Sequence, residues 1–247
     1  MNLIILAAGV GSRLYPLTKD RPKSLIELGD GSTLLERQIS NGINSKIVTK
    51  IYIVVGYKSE QIDRKILEFK DQIEIETIFN PFYEISNNLF SLWSANHIMR
   101  QGDFLISNGD NIYQNSVYNG LKNLESETIS ITIDYKDKYD DDDMKVILKD
   151  GFVKRVSKQI AFDEIDAESV GLAIIKGEKS RKIFIDKLYS LVRDFTNKDK
   201  FWLEIFNALS FDEIKIGTYE ISEKDWGEID FHPDIESIKV AISKELF

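Results

Sequence analysis

The chain has 247 residues and a formal net charge of −9. An acidic balance of this kind argues against an extended nucleic-acid interface, because phosphate backbones are bound mainly by clustered Lys and Arg. With no cysteine and only two histidines, the sequence excludes disulfides, thiol catalysis, thiolate zinc sites and histidine-rich metal clusters.

The first apolar run ends at Gly9, too early for the apolar region of a signal peptide. No stretch approaches the roughly 18 to 20 apolar residues of a membrane span. We therefore expect a cytoplasmic protein with no membrane partner. The length fits one sizeable α/β domain, and we assign residues 1–247 to a single domain.

Apolar runs alternate with segments of helical periodicity in the first half of the chain. Strands are predicted at 2–7, 51–56, 74–79, 103–107 and 128–134, and helices at 33–42, 59–69, 88–99 and 115–123. Thr33 followed by Glu36 predicts a capping box at the first helix. This alternation is typical of a mostly parallel sheet with helices on its faces, whose ligand-binding loops lie at the carboxyl edge.

The pattern changes after residue 134. The acidic run 140–143 predicts a solvated loop, because successive carboxylates repel each other. A β-hairpin is predicted from 145–148 and 152–157, joined by a tight turn at Asp150 and Gly151. The remaining predicted elements are strands at 169–175 and 214–220, helices at 178–195, 199–209 and about 233–244, and an extended segment at 226–230.

Residues 6–25 combine a strand end with a bend of small residues followed by basic ones. Backbone N–H groups can approach an anion closely where side chains are small. A P-loop is excluded because Lys23 lies twelve residues after Gly11, and a dinucleotide fingerprint is excluded because position 14 is Leu. The bend is therefore predicted to bind phosphate in another way, through the backbone N–H groups around Ala7, Ala8, Gly9 and Gly11.

The spacing of this segment resembles the signature of nucleotidyltransferases that join an NTP to sugar 1-phosphates and related phosphorylated molecules. The pattern that carries the resemblance is Gly9-x-Gly11-x-Arg13-x-x-Pro16-x-Thr18-x-x-x-Pro22-Lys23. The resemblance implies a Rossmann-like, GT-A-like three-layer α/β sandwich with a mixed, mostly parallel sheet. It also implies that the nucleotide is bound by Leu6, Ala7, Ala8, Gly9, Gly11 and Ser12. Arg13 and Lys23 are implied to be catalytic, with Arg13 on the outer phosphates and Lys23 near the α-phosphate and the acceptor.

Nucleotidyl transfer to a phosphate brings many anionic oxygens together, so it calls for Mg²⁺ held by carboxylates. Asp110 follows an apolar strand and is the first metal candidate; a turn or helix-cap residue is the plainer alternative. The family usually has an Asp-x-Asp pair here, and Asn108 replaces its first aspartate. Alternation along 226–230 would place Glu228 and Asp230 on one face. The resemblance selects Asp230 as the second metal ligand, and Glu228 is assigned to the acceptor.

Residues 80–93 resemble a stretch of the choline-phosphate cytidylyltransferases of bacterial surface-polysaccharide synthesis. Asn87, Asn88 and Ser91 could therefore contact the pyrimidine of CTP, although the plainer interpretation of Asn87 is that it caps the helix. Gly56 and Tyr57 follow the second strand, and similar segments of the family lie near the bound base. A simple turn is the alternative there.

Four further residues are candidates for binding the acceptor. Lys145 and Lys158 flank the predicted hairpin, where one of them could reach the acceptor phosphate, or both could be surface lysines. Glu168 and Gly171 resemble the acceptor-contacting segment of the family, with Gly171 leaving room for a ligand.

The sequence thus predicts a Mg²⁺-dependent cytidylyltransferase that transfers the cytidylyl group of CTP to a small phosphorylated or phosphonate metabolite. Phosphocholine is the leading acceptor, and the expected setting is capsule or surface-polysaccharide precursor synthesis. A sugar 1-phosphate nucleotidyltransferase using UTP, dTTP or GTP is one alternative, and a non-catalytic nucleotide sensor is another. A complete set of charge-screening residues favours catalysis over sensing. A homodimer is the expected oligomer, if any.

Overall fold

The first half of the chain alternates strands and helices, close to the predicted positions. In the computed structural model, which describes residues 1–244, the strands are β1 (Asn2–Ala7), β2 (Lys50–Val55), β3 (Glu74–Phe79), β4 (Phe104–Asn108), β5 (Asn111–Tyr113) and β6 (Thr128–Asp134). The helices are α1 (Leu34–Asn44), α2 (Ser59–Ile66), α3 (Asn88–Ser94), α4 (Asn96–Met99) and α5 (Asn115–Lys122). The predicted capping box is present, because Thr33 and Glu36 bond to each other's backbone N–H groups.

The second half differs more from the predictions. Its strands are β7 (Lys145–Lys149), β8 (Phe152–Ser157), β9 (Ala167–Lys176), β10 (Gly217–Ile221) and β11 (Trp226–Glu228), and its helices are α6 (Glu178–Val192), α7 (Glu204–Phe211) and α8 (His232–Ser243). The predicted helix at 199–209 begins only at Glu204, because a short 3-10 helix, Phe195–Asp199, precedes it. Short single-turn helices also form in the opening loop at Ser12–Leu14 and Lys23–Leu25.

A nine-stranded mixed sheet forms the middle layer of the fold. Its strand order is β10-β6-β9-β4-β1-β2-β3, and the β7–β8 hairpin is attached through β9. β1 is parallel to both β2 and β4, whereas β9 runs antiparallel to β4 and β6. The predicted mixed, mostly parallel sheet is confirmed.

Helices cover both faces of the sheet, because side chains of buried strands alternate between the two faces. Ile4 and Leu6 of β1 pack into one core with helices α3, α4, α6 and α7. Leu3 and Ile5 pack into the opposite core with α1, α2 and α5. The three predicted layers are therefore present. Among residues 1–244, no helix has the length and apolarity needed to cross a lipid bilayer.

A small two-stranded sheet brings the two aspartate segments together. β11 runs antiparallel to β5, which places Glu228 opposite Asn111. β11 ends at Glu228, and the N–H of Ile229 then donates a hydrogen bond of 3.0 Å to the carbonyl oxygen of Asp110. Asp230 therefore lies beyond the strand rather than within it, so the predicted alternation over 226–230 is not what aligns the carboxylates.

Candidate active site

The opening loop is shaped by a glycine in a left-handed conformation. Gly11 has φ +68°, and its carbonyl oxygen accepts a hydrogen bond of 2.9 Å from the hydroxyl of Thr18. A Cβ at Gly11 would lie 2.9 Å from Cβ of Lys23. A side chain there would push Lys23 away, so the glycine allows the lysine stem to pack directly against the loop.

Lys23 joins the two predicted metal ligands. Its ammonium donates hydrogen bonds of 2.8 Å to Oδ2 of Asp110 and 2.8 Å to Oδ1 of Asp230. Burial lowers the pKa of Lys23, but the two carboxylates outweigh this effect and the pKa is raised above its usual value. Lys23 therefore carries its positive charge near neutral pH.

Arg13 binds the same aspartate from the other side, with 2.5 Å between a guanidinium nitrogen and Oδ2 of Asp230. Burial raises the pKa of Asp230, but Lys23 and then Arg13 more than offset burial, so the pKa is lowered. The structure thus brings Arg13, Lys23, Asp110 and Asp230 together, as the sequence predicts.

Three carboxylates form a group that fits a divalent cation. Oxygen atoms of Asp110, Glu228 and Asp230 all lie within 4.8 Å of one another. Among the residues that the structure describes, Oδ1 of Asp110 is buried and has no hydrogen-bond partner. Burial, with the charges of Asp110 and Asp230, raises the pKa of Glu228 to about 8. Clustered carboxylate oxygens suit Mg²⁺, which is bound through one or two carboxylates plus substrate oxygens.

These residues line a central cavity of about 370 Å³. It is mainly polar and opens at the carboxyl edge of β1 and β4, the edge at which ligands bind in open α/β sheets. The predicted site residues that line it are Leu6, Gly11, Ser12, Arg13, Lys23, Asn87, Asn88, Asp110, Lys158, Glu168, Gly171, Glu228 and Asp230.

A side cavity of about 250 Å³ adjoins the central one and shares Lys23 and Asp110 with it. The predicted nucleotide-binding residues that line it are Leu6, Ala7, Ala8, Gly9, Gly11, Asn87, Asn88 and Ser91. The small side chains of residues 7–9 leave its wall open, so it has room for the nucleoside of a bound nucleotide.

Gly56 and Tyr57 line neither cavity, and their contact with the nucleotide stays a prediction. A Cβ at Gly56 would lie 2.5 Å from the ring of Tyr83 and 2.7 Å from the carbonyl oxygen of Ala8. The hydroxyl of Tyr57 donates to the carbonyl oxygen of Lys19. Both residues therefore contact the backbone of the opening loop.

The side-chain oxygens of Asn87, Asn88 and Ser91, at the start of α3, already accept hydrogen bonds within the protein. Asn87 caps the helix through its side chain, which accepts a 2.8 Å hydrogen bond from the N–H of Asn88. The side-chain oxygen of Asn88 accepts from the N–H of Trp202 at 2.7 Å, and Ser91 accepts from Asn80 at 3.1 Å. Capping and ligand contact are compatible here, because these residues also line the cavities.

Asn108 is held by an aromatic residue, Trp202, that no sequence motif indicates. The indole N–H of Trp202 donates a hydrogen bond of 2.8 Å to Oδ1 of Asn108. A Cβ at Gly171 would lie 2.4 Å from Nδ2 of the same asparagine. The space above Gly171 is therefore filled by Asn108, which corrects the prediction that this glycine leaves room for a ligand.

Lys145 and Lys158 differ in their surroundings. Lys145 is 1 % exposed, and its ammonium donates to the carbonyl oxygens of Asp141 at 3.1 Å and Lys158 at 3.0 Å. This corrects its assignment to the acceptor, because it anchors the acidic loop to the end of β8. Lys158 lines the central cavity, where its ammonium lies 3.2 Å from Asp142.

Glu168 is buried at the start of β9 and forms an ion pair with Lys136. Burial raises the pKa of Glu168 to about 7 despite the lysine. Beside it lies an acidic groove of about 510 Å³, whose walls include residues 140–143, Glu168, Trp226 and Phe231. The groove adjoins the central cavity, because Asp142 and Glu168 line both.

Sequence reasoning missed Asp142, Lys136 and Trp202. Asp142 lies within the run interpreted as a solvated loop, yet it lies 3.5 Å from Arg13 as well as near Lys158. Lys136 follows β6 with no motif around it. One signal was available for Asp142 and Lys136. Both follow a predicted strand, and loops that follow parallel strands lie at the carboxyl edge of the sheet, where ligands bind.

Known proteins with similar sequences include two cytidylyltransferases. The chain is 26% identical over 255 residues to the CTP:phosphoglutamine cytidylyltransferase of Campylobacter jejuni, covering 96% of this chain and 98% of the relative. It is 33% identical over 121 residues to the choline-phosphate cytidylyltransferase of Streptococcus pneumoniae, covering 49% of this chain and 50% of the relative.

A third relative is the bifunctional protein GlmU of Methanococcus maripaludis, with 40% identity over 117 residues. That alignment covers 47% of this chain but only 26% of the relative, so the matched part of the chain spans about a quarter of the length of GlmU.

The fold is shared with a solved structure, the inositol-1-phosphate CTP transferase from T. maritima. The TM-score is 0.81 at 20% sequence identity, with 98% of this chain and 95% of the other covered. The family model described as Nucleotidyl transferase matches residues 2–146, more than half of the chain. From this match, the chain belongs to the nucleotidyl transferase family.

Proposed function

We propose that this protein transfers the cytidylyl group of CTP to the phosphate or phosphonate of a small metabolite and releases pyrophosphate. An acceptor oxygen forms a new bond to the α-phosphorus while the bond to the β-phosphate oxygen breaks. The observation that carries the proposal is the convergence of Arg13, Lys23, Asp110 and Asp230 on one cavity. No general base is needed, since the acceptor phosphate is already ionised at neutral pH.

Asp110 and Asp230 would hold Mg²⁺, with Glu228 as the adjacent third carboxylate. When bound, the cation supplies charge screening between the converging phosphates. Arg13 and Lys23 would bind the triphosphate, since both side chains line the central cavity next to the glycine bend. Positive groups placed where negative charge collects are the main means of accelerating such a transfer.

The choice of CTP is supported by the names of two relatives and by the side cavity. The relative that aligns over nearly the whole chain is named for CTP, and the Streptococcus pneumoniae relative is also a cytidylyltransferase. The amides of Asn87 and Asn88 line the side cavity and carry both donors and acceptors, as recognition of a pyrimidine edge requires.

The acidic groove supports an acceptor with a positive charge at the end remote from its phosphate. Its walls carry the carboxylates of residues 140–143 and Glu168, with Lys136 as the lysine among its lining residues. Trp226 and Phe231 add aromatic faces, which attract ammonium groups. Phosphocholine is the leading candidate, and phosphorylated amino-acid amides and aminoalkyl phosphonates are its closest rivals. Such activated products would serve surface-polysaccharide synthesis in the cytoplasm.

The test measures pyrophosphate release with four NTPs, Mg²⁺ and a panel of acceptors. We expect release with CTP and with phosphocholine, 2-aminoethylphosphonate or phosphoglutamine, and at least about tenfold less with glucose 1-phosphate. Release that is fastest with UTP, dTTP or GTP and a sugar 1-phosphate would establish the alternative transferase. Binding of NTPs, seen as thermal shifts, without pyrophosphate release from any acceptor would overturn catalysis in favour of sensing.

A further inference from the structure

Cationic side chains already hold most of the oxygen atoms that a metal ion would use. Lys23 lies 2.8 Å from Oδ2 of Asp110 and 2.8 Å from Oδ1 of Asp230. Arg13 holds the remaining oxygen of Asp230 at 2.5 Å. Of the four oxygens of these two aspartates, Oδ1 of Asp110 has no hydrogen-bond partner among the described residues.

A divalent cation and the ammonium of Lys23 therefore compete for the same ligands. Mg²⁺ binds carboxylate oxygen at about 2.0–2.1 Å, so a cation shared by Asp110 and Asp230 would lie within a few ångströms of the lysine nitrogen. The lysine side chain is only 14% exposed, so water screens the two positive charges poorly. Both cations cannot be held by the same pair of oxygens.

The surroundings of Lys23 also show where its ammonium could go. Its stem packs against Gly11, the left-handed residue of the glycine bend. Lys23 lines both the central and the side cavity, so a short rotation about its side chain can direct the ammonium toward either. An anionic phosphate group in the central cavity would attract it away from the aspartates.

We propose that Lys23 is an internal counter-ion that couples metal binding to nucleotide binding. Without nucleotide, its ammonium neutralises Asp110 and Asp230 and weakens their affinity for a divalent cation. A triphosphate draws the ammonium to itself, and the freed carboxylates bind the cation. This inference rests on the proposed function for the identity of the nucleotide, but the competition between Lys23 and the cation does not depend on it.

The test titrates Mn²⁺ into the protein without any nucleotide and measures free Mn²⁺ by electron paramagnetic resonance. Three variants are compared with the wild type: K23M, K23R, and K158M as a matched control. Lys158 lines the same cavity but pairs with Asp142, outside the group of three carboxylates. All four proteins are first checked for native circular dichroism and cooperative thermal unfolding.

We expect K23M to bind Mn²⁺ at least about tenfold more tightly than the wild type, a difference in dissociation constant that a titration resolves easily. K23R keeps the positive charge, so its affinity should stay close to that of the wild type. K158M removes a charge that acts on Asp230 without pairing with it, so its gain in affinity should be clearly smaller than that of K23M. Equal or weaker binding by K23M would overturn the proposal, as would an equally large gain in K158M.

K23M leaves Asp110 and Asp230 without their lysine and could fail to fold. In that case K23Q replaces it, because its amide still donates hydrogen bonds to the aspartates but carries no charge. The readout is independent of catalysis. If the protein turns over no NTP, K23M can still bind Mn²⁺ more tightly than the wild type. If the protein is an active cytidylyltransferase, K23M can still show no gain in Mn²⁺ affinity. Failure of one proposal is therefore distinguishable from failure of the other.

Discussion

The indole nitrogen of Trp202 lies 2.8 Å from the side-chain oxygen of Asn108, and this hydrogen bond joins residues that are 94 positions apart in the chain. Trp202 is only 1% exposed and packs edge to face against Phe206, whereas Asn108 ends β4 at the central cavity. The bond orients Asn108 at the cavity, and it ties the loop before α7 to the carboxyl end of β4.

We expect W202F to destabilise the protein by about 1–3 kcal/mol, because Oδ1 of Asn108 loses its donor. The measurement is the free energy of unfolding in urea. W93F is the matched control, since the indole N–H of Trp93 is buried and has no hydrogen-bond partner within residues 1–244. Equal losses in the two variants would show that packing, and not the hydrogen bond, accounts for the effect.

We expect G171A to destabilise the protein by at least about 1 kcal/mol more than G151A. Both glycines have positive φ, +71° and +79°, so both substitutions introduce similar backbone strain. A Cβ at Gly171 would also meet Asn108 at 2.4 Å, whereas Gly151 has nothing within 4 Å. Urea denaturation of the two variants separates the clash from the strain, and equal destabilisation would contradict the contact with Asn108.

D110N and D230N should each lower cytidylyl transfer by about 100-fold or more, because each removes a charge that would hold the metal ion. Both should also lose the rise in Tm that Mg²⁺ with CTP gives the wild type. E125Q is the control, because Glu125 is exposed on the loop between α5 and β6. If either aspartate variant kept both wild-type turnover and the Mg²⁺-dependent rise in Tm, the assigned metal site would be wrong.

Stability without divalent cations should fall as the pH rises from 5 to 8. Burial raises the pKa of Glu228 from 4.5 to about 8, so in this range the folded protein binds a proton that the unfolded chain has lost. Each such group lowers the free energy of unfolding by at most about 1.4 kcal/mol per pH unit. Glu168 acts in the same direction, because burial raises its pKa to about 7.

Urea unfolding of the wild type, E228Q and E168Q between pH 5 and 8 checks this expectation. Each variant should show a smaller slope than the wild type, and added Mg²⁺ should stabilise the wild type more at pH 8 than at pH 6. The lowered pKa of Asp230 has the opposite sign, since its contribution is lost only in acid. A wild-type stability that rises between pH 6 and 8 would contradict the assignment to Glu228.

Apolar runs are local signals, so the sequence predicts the strands of the sheet well. The capping box at Thr33 is also a local signal, and it predicts the start of α1. Arg13 and Lys23 are predicted because they belong to the signature of the opening loop. Asp110 is predicted because it follows the end of an apolar strand. β5 was not predicted, since three residues are too short to show a period. The same small sheet, pairing β5 with β11, is what brings Asp230 to Asp110.

Burial of charged residues is the part that the sequence does not predict. A lysine after an acidic run is expected at the surface. Lys145 is buried instead, because its ammonium donates hydrogen bonds to two carbonyl oxygens and lies over the ring of Phe162. These partners come from three separate segments. Their convergence depends on how β7 and β8 pack against β9, which no local pattern specifies.

The reversed direction of β9 decides which part of the chain lines each cavity. Because β9 runs against β4 and β6, the residues at its start, from Glu168 to Gly171, reach the edge where β1 and β4 end. The acidic groove is thus lined by residues downstream of residue 134, and the side cavity is lined mainly by residues upstream of residue 110. Substitutions within residues 136–168 can therefore change the groove without altering any side chain that lines the side cavity.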